Sequence, residues 1–96
     1  MANANLSLQV LPRVSDDQIY GVVDQVIAMI KASGLNHEVG PMETTIEGDL
    51  DELLELVRRA QQVCVNAGAN RVMSVIKIDY KPDGVSIDEK IGKYRS

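Results

Sequence analysis

The stretch P-M-E-T-T-I-E-G-D-L-D, Pro41 to Asp51, compresses a turn, a short strand and a helix start into eleven residues. Gly40 and Pro41 break whatever precedes them, because one frees the backbone and the other removes a donor. Thr44 to Glu47 is rich in β-favouring residues. Asp49 with Glu52 three residues on matches the capping box that opens a helix. Leu35 to Val39 reads as a short strand ahead of the break, so the middle of the chain is a hairpin followed directly by a helix.

Towards the N-terminus, residues from about Asn3 to Leu11 alternate, with Leu6, Leu8 and Val10 on one side and Asn5, Ser7 and Gln9 on the other. This pattern predicts a half-buried strand ended by Pro12. Ser15 to Gln18 has capping-box spacing, and Asp16 and Asp17 suit the positive end of a helix dipole. Ile19, Val22, Val23, Val26, Ile27 and Ile30 then recur at helical spacing up to a stop at Gly34. Gly21 inside that helix marks either a close approach of backbone or a tolerated surface position.

Towards the C-terminus, Leu50, Leu53, Leu54, Val57, Ala60, Cys64 and Ala67 form the expected buried stripe of the second helix, which Gly68 closes. Glu55 and Arg59 are spaced for an exposed ion pair. Arg71 to Tyr80 predicts a fourth strand with Val72, Ser74, Ile76 and Ile78 on one face and Met73 and Val75 on the other. Lys81 to Gly84 is a turn, and residues 84–96 form a tail in which Ser86 and Glu89 set up a third capping box.

The order β-α-β-β-α-β predicts a single α+β domain over residues 1–96. The expected fold is ferredoxin-like: a four-stranded antiparallel sheet with two helices on one face, plus a short C-terminal helix. Right-handed crossovers are expected to place the first and fourth strands at the centre, in keeping with the apolar fourth strand. Two helices leave one sheet face uncovered by the chain itself, which predicts a homo-oligomer.

The apolar share of 45% supports one core, and a net charge of −4 with scattered basic residues argues against nucleic acid. No stretch approaches the roughly 20 apolar residues of a membrane span, and no signal peptide is apparent, so a cytoplasmic location is expected. Cys64, the single cysteine, falls on an apolar stripe and reads as inert core. His37, the single histidine, has no partners at metal-ligand spacing. No nucleophile-base pair, Gly-rich phosphate loop, C-x-x-C or H-E-x-x-H pattern occurs, and Arg13 lacks the companions an acylphosphatase requires. The expectation is a non-catalytic protein without cofactor or metal.

A binding site is easier to assemble. Thr44 and Ser74 fall on the helix-facing side of their strands and can read a polar ligand edge together. Glu47 can accept from an amino-bearing or cationic ligand, and Met42 offers a polarisable surface to a ring. The plain alternative is that the threonines are strand formers and Glu47 a solvated charge.

V-L-P at Val10 to Pro12, S-G-L at Ser33 to Leu35 and G-P-M-E-T-T-I-E-G-D-L-D at Gly40 to Asp51 form a recurrent pattern. V-R-R-A at Val57 to Ala60, G-A-N-R-V at Gly68 to Val72 and I-K-I-D at Ile76 to Asp79 extend it. Over nearly its whole length the chain thereby resembles the small ferredoxin-like thiamine-binding proteins of bacteria and archaea. The resemblance implies a non-catalytic binder of thiamine or its hydroxymethylpyrimidine part, assembled as a dimer or a dimer of dimers, a homotetramer. It favours Met42, Thr44 and Glu47 as ligand contacts, with Gln9 as a further one. Because the chain has no Phe or Trp, Met42, Leu11 or Tyr80 must cover the pyrimidine. The competing expectation is an oligomeric structural or regulatory domain that binds another small metabolite or none.

Overall fold

The structure, a computed structural model, describes residues 2–95; Met1 and Ser96, which the sequence reading includes in the domain, lie outside the described residues. Four strands, β1 (Ala4–Pro12), β2 (His37–Val39), β3 (Thr44–Gly48) and β4 (Val72–Tyr80), form one antiparallel sheet in the order β2-β3-β1-β4. Helices α1 (Ile19–Ala32) and α2 (Leu50–Asn66) pack on one face, and a short α3 (Ile87–Ile91) follows β4. This is the ferredoxin-like α+β arrangement that the element order predicts.

The centre of the sheet is β1 and β3, not β1 and β4. The two crossovers interleave: β3 lies between β1 and β2, and β1 between β3 and β4. The fourth strand is therefore an edge, and Ile76, Ile78 and Tyr80 are 39%, 45% and 52% exposed despite their apolar character. Apolar residues on both faces of a strand suit a central position and equally an edge that has something else to cover it.

Alternation along β1 sends Ala4, Leu6, Leu8 and Val10 into the core, where they meet Val22, Val26 and Ile30 of α1 and Leu53, Leu56, Ala60 and Cys64 of α2. The buried line of α2 corrects the sequence reading at two positions. Leu56 is buried and Leu54 is 44% exposed. At 3.6 residues per turn Leu54 stands about 100° from the line through Leu53, Ala60 and Cys64, whereas Leu56 stands about 60° from it.

Two of the three capping boxes are replaced by other devices. The Ser15 hydroxyl donates to Asp17 Oδ1 (2.6 Å), with Gln18 Oε1 also within reach at 2.9 Å, and Asp16–Gln18 is a 3-10 turn leading into α1. Asp49 makes no side-chain cap; the Leu50 N–H donates instead to Asn3 Oδ1 (2.9 Å), from the start of β1. Ser86 does cap α3, accepting from the Glu89 N–H (3.1 Å). The ion pair on α2 joins Glu55 to Arg58 (2.5 Å), not to Arg59, and the Arg58 hydrogen bond holds the Glu55 carboxyl below its usual range.

At the end of α2, Gly68 N–H bonds to Val65 O (3.0 Å) and Ala69 N–H to Cys64 O (3.0 Å), the double bond of a Schellman stop with Gly68 at φ 110°. Nothing lies within 4 Å of where a Cβ on Gly21 would stand, so that glycine is a tolerated surface position. Gly21→Ala is expected to raise the unfolding free energy by about 0.5–1 kcal/mol, read as a higher urea midpoint at unchanged slope.

Cys64 is fully buried, and desolvation pushes its thiol pKa up. Because the thiolate is the reactive form, Cys64 is expected to resist alkylation at pH 8 in the native protein and to react once urea unfolds it. Rapid labelling without denaturant would place the thiol nearer the surface.

Candidate functional site

The lengths of β1 and β3 create the first cleft. β1 pairs with β4 along its whole length, but with β3 only from Ala4 to Leu8. From Gln9 to Leu11 the β3-side edge of β1 has no strand neighbour, and the chain that would continue β3 is instead the hairpin loop Gly40–Glu43. The Gly40 N–H closes that loop on Glu43 O (2.8 Å), and a Cβ on Gly40 would stand 3.0 Å from the same oxygen, so the tight closure needs glycine.

Between the loop, the free edge of β1 and the first turns of α1 lies a notch of about 270 Å³. Gln9, Leu11, Tyr20, Met42 and Thr44 line it above a floor of Val23, Val26 and Ile30. Thr44 is 6% exposed, whereas Met42 and Tyr20, at 71% and 83%, stand at the rim. An unpaired strand edge presents main-chain donors and acceptors in alternation. Combined with an apolar floor and a threonine, it can hold a flat ring bearing donors and acceptors on its perimeter.

A second, larger cleft of about 550 Å³ lies on the opposite face of the sheet, under α3. Thr45, Ser7, Asn5 and Lys77 contribute to its floor, and Ile87 and Ile91 of α3 to its cover. The open face is thus partly covered by the chain's own tail, where the sequence reading leaves it bare.

Three of the five candidate ligand residues, Gln9, Met42 and Thr44, come together in the notch. The other two do not. Glu47 points to the open face, and its Oε1 accepts from the Ile87 N–H (2.6 Å), fixing the start of α3. Ser74 donates to Gln61 Oε1 of α2 (2.7 Å), and Gln61 Nε2 donates to Val57 O (3.0 Å), so the serine braces β4 against the helix. Thr44 and Ser74 do share the helix-facing side, but β1 runs between them and their partners on it, Leu8 and Val10, are two residues apart, a separation of about 12 Å from two strand spacings and that offset.

Of the residues expected to cover a ring, Leu11 and Met42 line the notch and Tyr80 does not. Sequence reading missed Tyr20, the aromatic that does. Its signal was its place off the apolar stripe of α1, where a large apolar side chain has no core to fill. His37 Nδ1 lies 3.0 Å from Leu35 O. Among the described residues no group of three or more His, Cys, Asp or Glu is placed to hold a metal ion, and no helix is long and apolar enough to cross a membrane.

The fold and the two clefts define a small ferredoxin-like domain equipped to bind small molecules. The profile of the family described as "Thiamine-binding protein" matches residues 6–95, and the chain belongs to that family. It is 56% identical, over 99% of its length and 100% of the relative's, to a UPF0045 protein of Clostridium perfringens. Among solved structures, a domain of unknown function, DUF77, from Bacillus cereus superposes with a TM-score of 0.91 at 50% identity, covering 100% of this chain and 94% of the other. A candidate thiamine biosynthesis/salvage protein of Thermotoga maritima superposes with a TM-score of 0.89 at 35% identity, over 97% of this chain and 99% of that one. Family and neighbours together point to binding of a small molecule.

Proposed function

We propose that the chain, acting as one domain in the cytoplasm, binds thiamine or its hydroxymethylpyrimidine part in the notch and does not transform it. The observation that carries this reading is the free edge of Gln9–Leu11 facing Met42 and Thr44. An aminopyrimidine carries donors and acceptors around a flat ring, the pattern an unpaired strand edge satisfies. The Thr44 hydroxyl supplies one more partner, and Tyr20 and Met42 close over the ring faces. At about 270 Å³ the notch suits one substituted ring; in this reading the thiazolium stays outside it, a cation against a chain of net charge −4.

Exposed Met73, Val75, Ile76, Ile78 and Tyr80 on a nine-residue edge strand support assembly with further copies, as a dimer or dimer of dimers. Sedimentation showing only single chains at micromolar concentration would remove that part of the reading.

Thermal unfolding with thiamine, hydroxymethylpyrimidine and a panel of amino acids tests the ligand. Selective binding to the native state raises the melting temperature in proportion to ln(1 + [L]/Kd). The expected result is a dose-dependent rise with the two pyrimidines, larger than that with any amino acid at equal concentration. No rise at millimolar thiamine would exclude the assignment.

A further inference from the structure

The larger cleft has an ordered polar floor that thiamine binding in the notch leaves unused. Strand register sets Glu38, Thr45, Ser7 and Lys77 side by side on the open face, one residue from each strand, in a single row across the sheet. The adjoining row is Glu47, Asn5 and Asp79.

The three carboxylates of these rows are already engaged, and all three hold down the C-terminal segment. Glu47 accepts from the Ile87 N–H (2.6 Å), Asp79 pairs with Lys90 (2.6 Å), and Glu38 pairs with Arg95. These bonds leave Lys77 with no ion-pair partner among the described residues, the Ser7 hydroxyl beside it, the Thr45 hydroxyl one strand further along the row, and the Asn5 amide in the adjoining row. Asn5 is 4% exposed; its Nδ2 donates to Ala4 O (3.2 Å), and its Oδ1 has no partner. A buried acceptor without a donor is costly and uncommon in a folded protein.

We infer that the cleft under α3 is a second binding site, for a small metabolite that carries an oxyanion and, a few bonds away, an N–H donor. The Lys77 ammonium and the Ser7 and Thr45 hydroxyls take the oxyanion, as charge-assisted hydrogen bonds favour. The N–H satisfies Asn5 Oδ1. α3 serves as a lid: it lies over the cleft with Ile87 and Ile91, and the C-terminal segment is fastened by the bonds of Ile87, Lys90 and Arg95 to Glu47, Asp79 and Glu38. The ligand's own donor takes the place left open at Asn5.

Two matched pairs of probes test this by 1H–15N NMR titration. Glycine against acetate tests a carboxylate with and without the donor, and phosphoethanolamine against inorganic phosphate does so for a phosphate. Saturable shifts are expected at Ser7, Thr45, Lys77 and the Asn5 side-chain amide, with the donor-bearing member of at least one pair binding the tighter. The pair that binds identifies the oxyanion. Lys77→Met, at an exposed position where the fold is expected to stay intact, is expected to weaken that binding by about tenfold, the loss of one charge-assisted contact. Asn5→Ala is expected to abolish the preference for the donor-bearing member. No saturable shift at these residues with any probe, or binding unaltered in Lys77→Met, would overturn the inference. A preference that survives in folded Asn5→Ala would do the same. Thiamine titrated into the same sample reports on Met42, Thr44 and Tyr20, so the two sites succeed or fail separately.

Discussion

Leu6→Ala is expected to lower the unfolding free energy by about 2–5 kcal/mol, a large share of the roughly 5–15 kcal/mol available to a domain of this kind. Leu6 is fully buried, lies on one of the two central strands, and is paired with Ile46 on one side and Ile78 on the other, beneath both helices. Truncation there removes contacts in every direction, and strands held on both flanks have little freedom to collapse into the space. Leu54→Ala on α2 is the contrast: the side chain is 44% exposed, and the cost is expected to stay below about 1 kcal/mol. Urea unfolding of both variants checks the pair. Comparable losses would mean that Leu54 is covered, by a partner copy or otherwise.

The second large effect concerns the ligand. Thr44→Val keeps the volume of a buried residue and removes its hydroxyl. Tyr20→Ala removes a wall of the notch from a residue that is 83% exposed. Each is expected to weaken thiamine by about tenfold or more, the cost of one lost hydrogen bond or one lost ring contact. The tyrosine change is expected to leave thermal stability within about 0.5 kcal/mol, as surface changes do. Glu47→Gln is expected to spare thiamine affinity, because Glu47 is bound to the α3 backbone on the far face of the sheet. Its effect falls on the tail: a neutral acceptor replaces a charged one at the Ile87 N–H, and amide exchange over α3 is expected to quicken. A loss of thiamine affinity in Glu47→Gln, with Thr44→Val unaffected, would move the ligand to the other cleft.

Much of the fold was legible because the periodicities were clean. The alternation of Leu6, Leu8 and Val10 and the spacing of Val22, Val26 and Ile30 each gave the correct buried face. Strand order was harder, because the apolar content of β4 records how much of its surface is to be covered and says nothing of what covers it. In this fold the coverage does not come from neighbouring strands. The capping residues misled for a related reason: Asn3, forty-seven positions from Leu50, reaches it only in the folded chain, and no local motif announces such a contact.

The candidate site was half legible. The loop at the start of Pro41 to Asp51 flanks both clefts, through Glu43 and the preceding Gly40. Alternation within β3 then divides the stretch between the faces, with Thr44 on the notch side and Glu47 on the tail side. A linear motif places the two residues together, and the pleat separates them. Tyr20 enters the notch from another element, so only the packing of α1 against β1 reveals it.

Calorimetric titration of thiamine into the wild-type chain, Thr44→Val, Tyr20→Ala and Lys77→Met tests the notch most directly. The notch assignment predicts saturable one-to-one binding to the wild type, an unchanged constant in Lys77→Met, and losses of about tenfold or more in the other two. Binding that is lost in Lys77→Met and retained in Thr44→Val and Tyr20→Ala would contradict it.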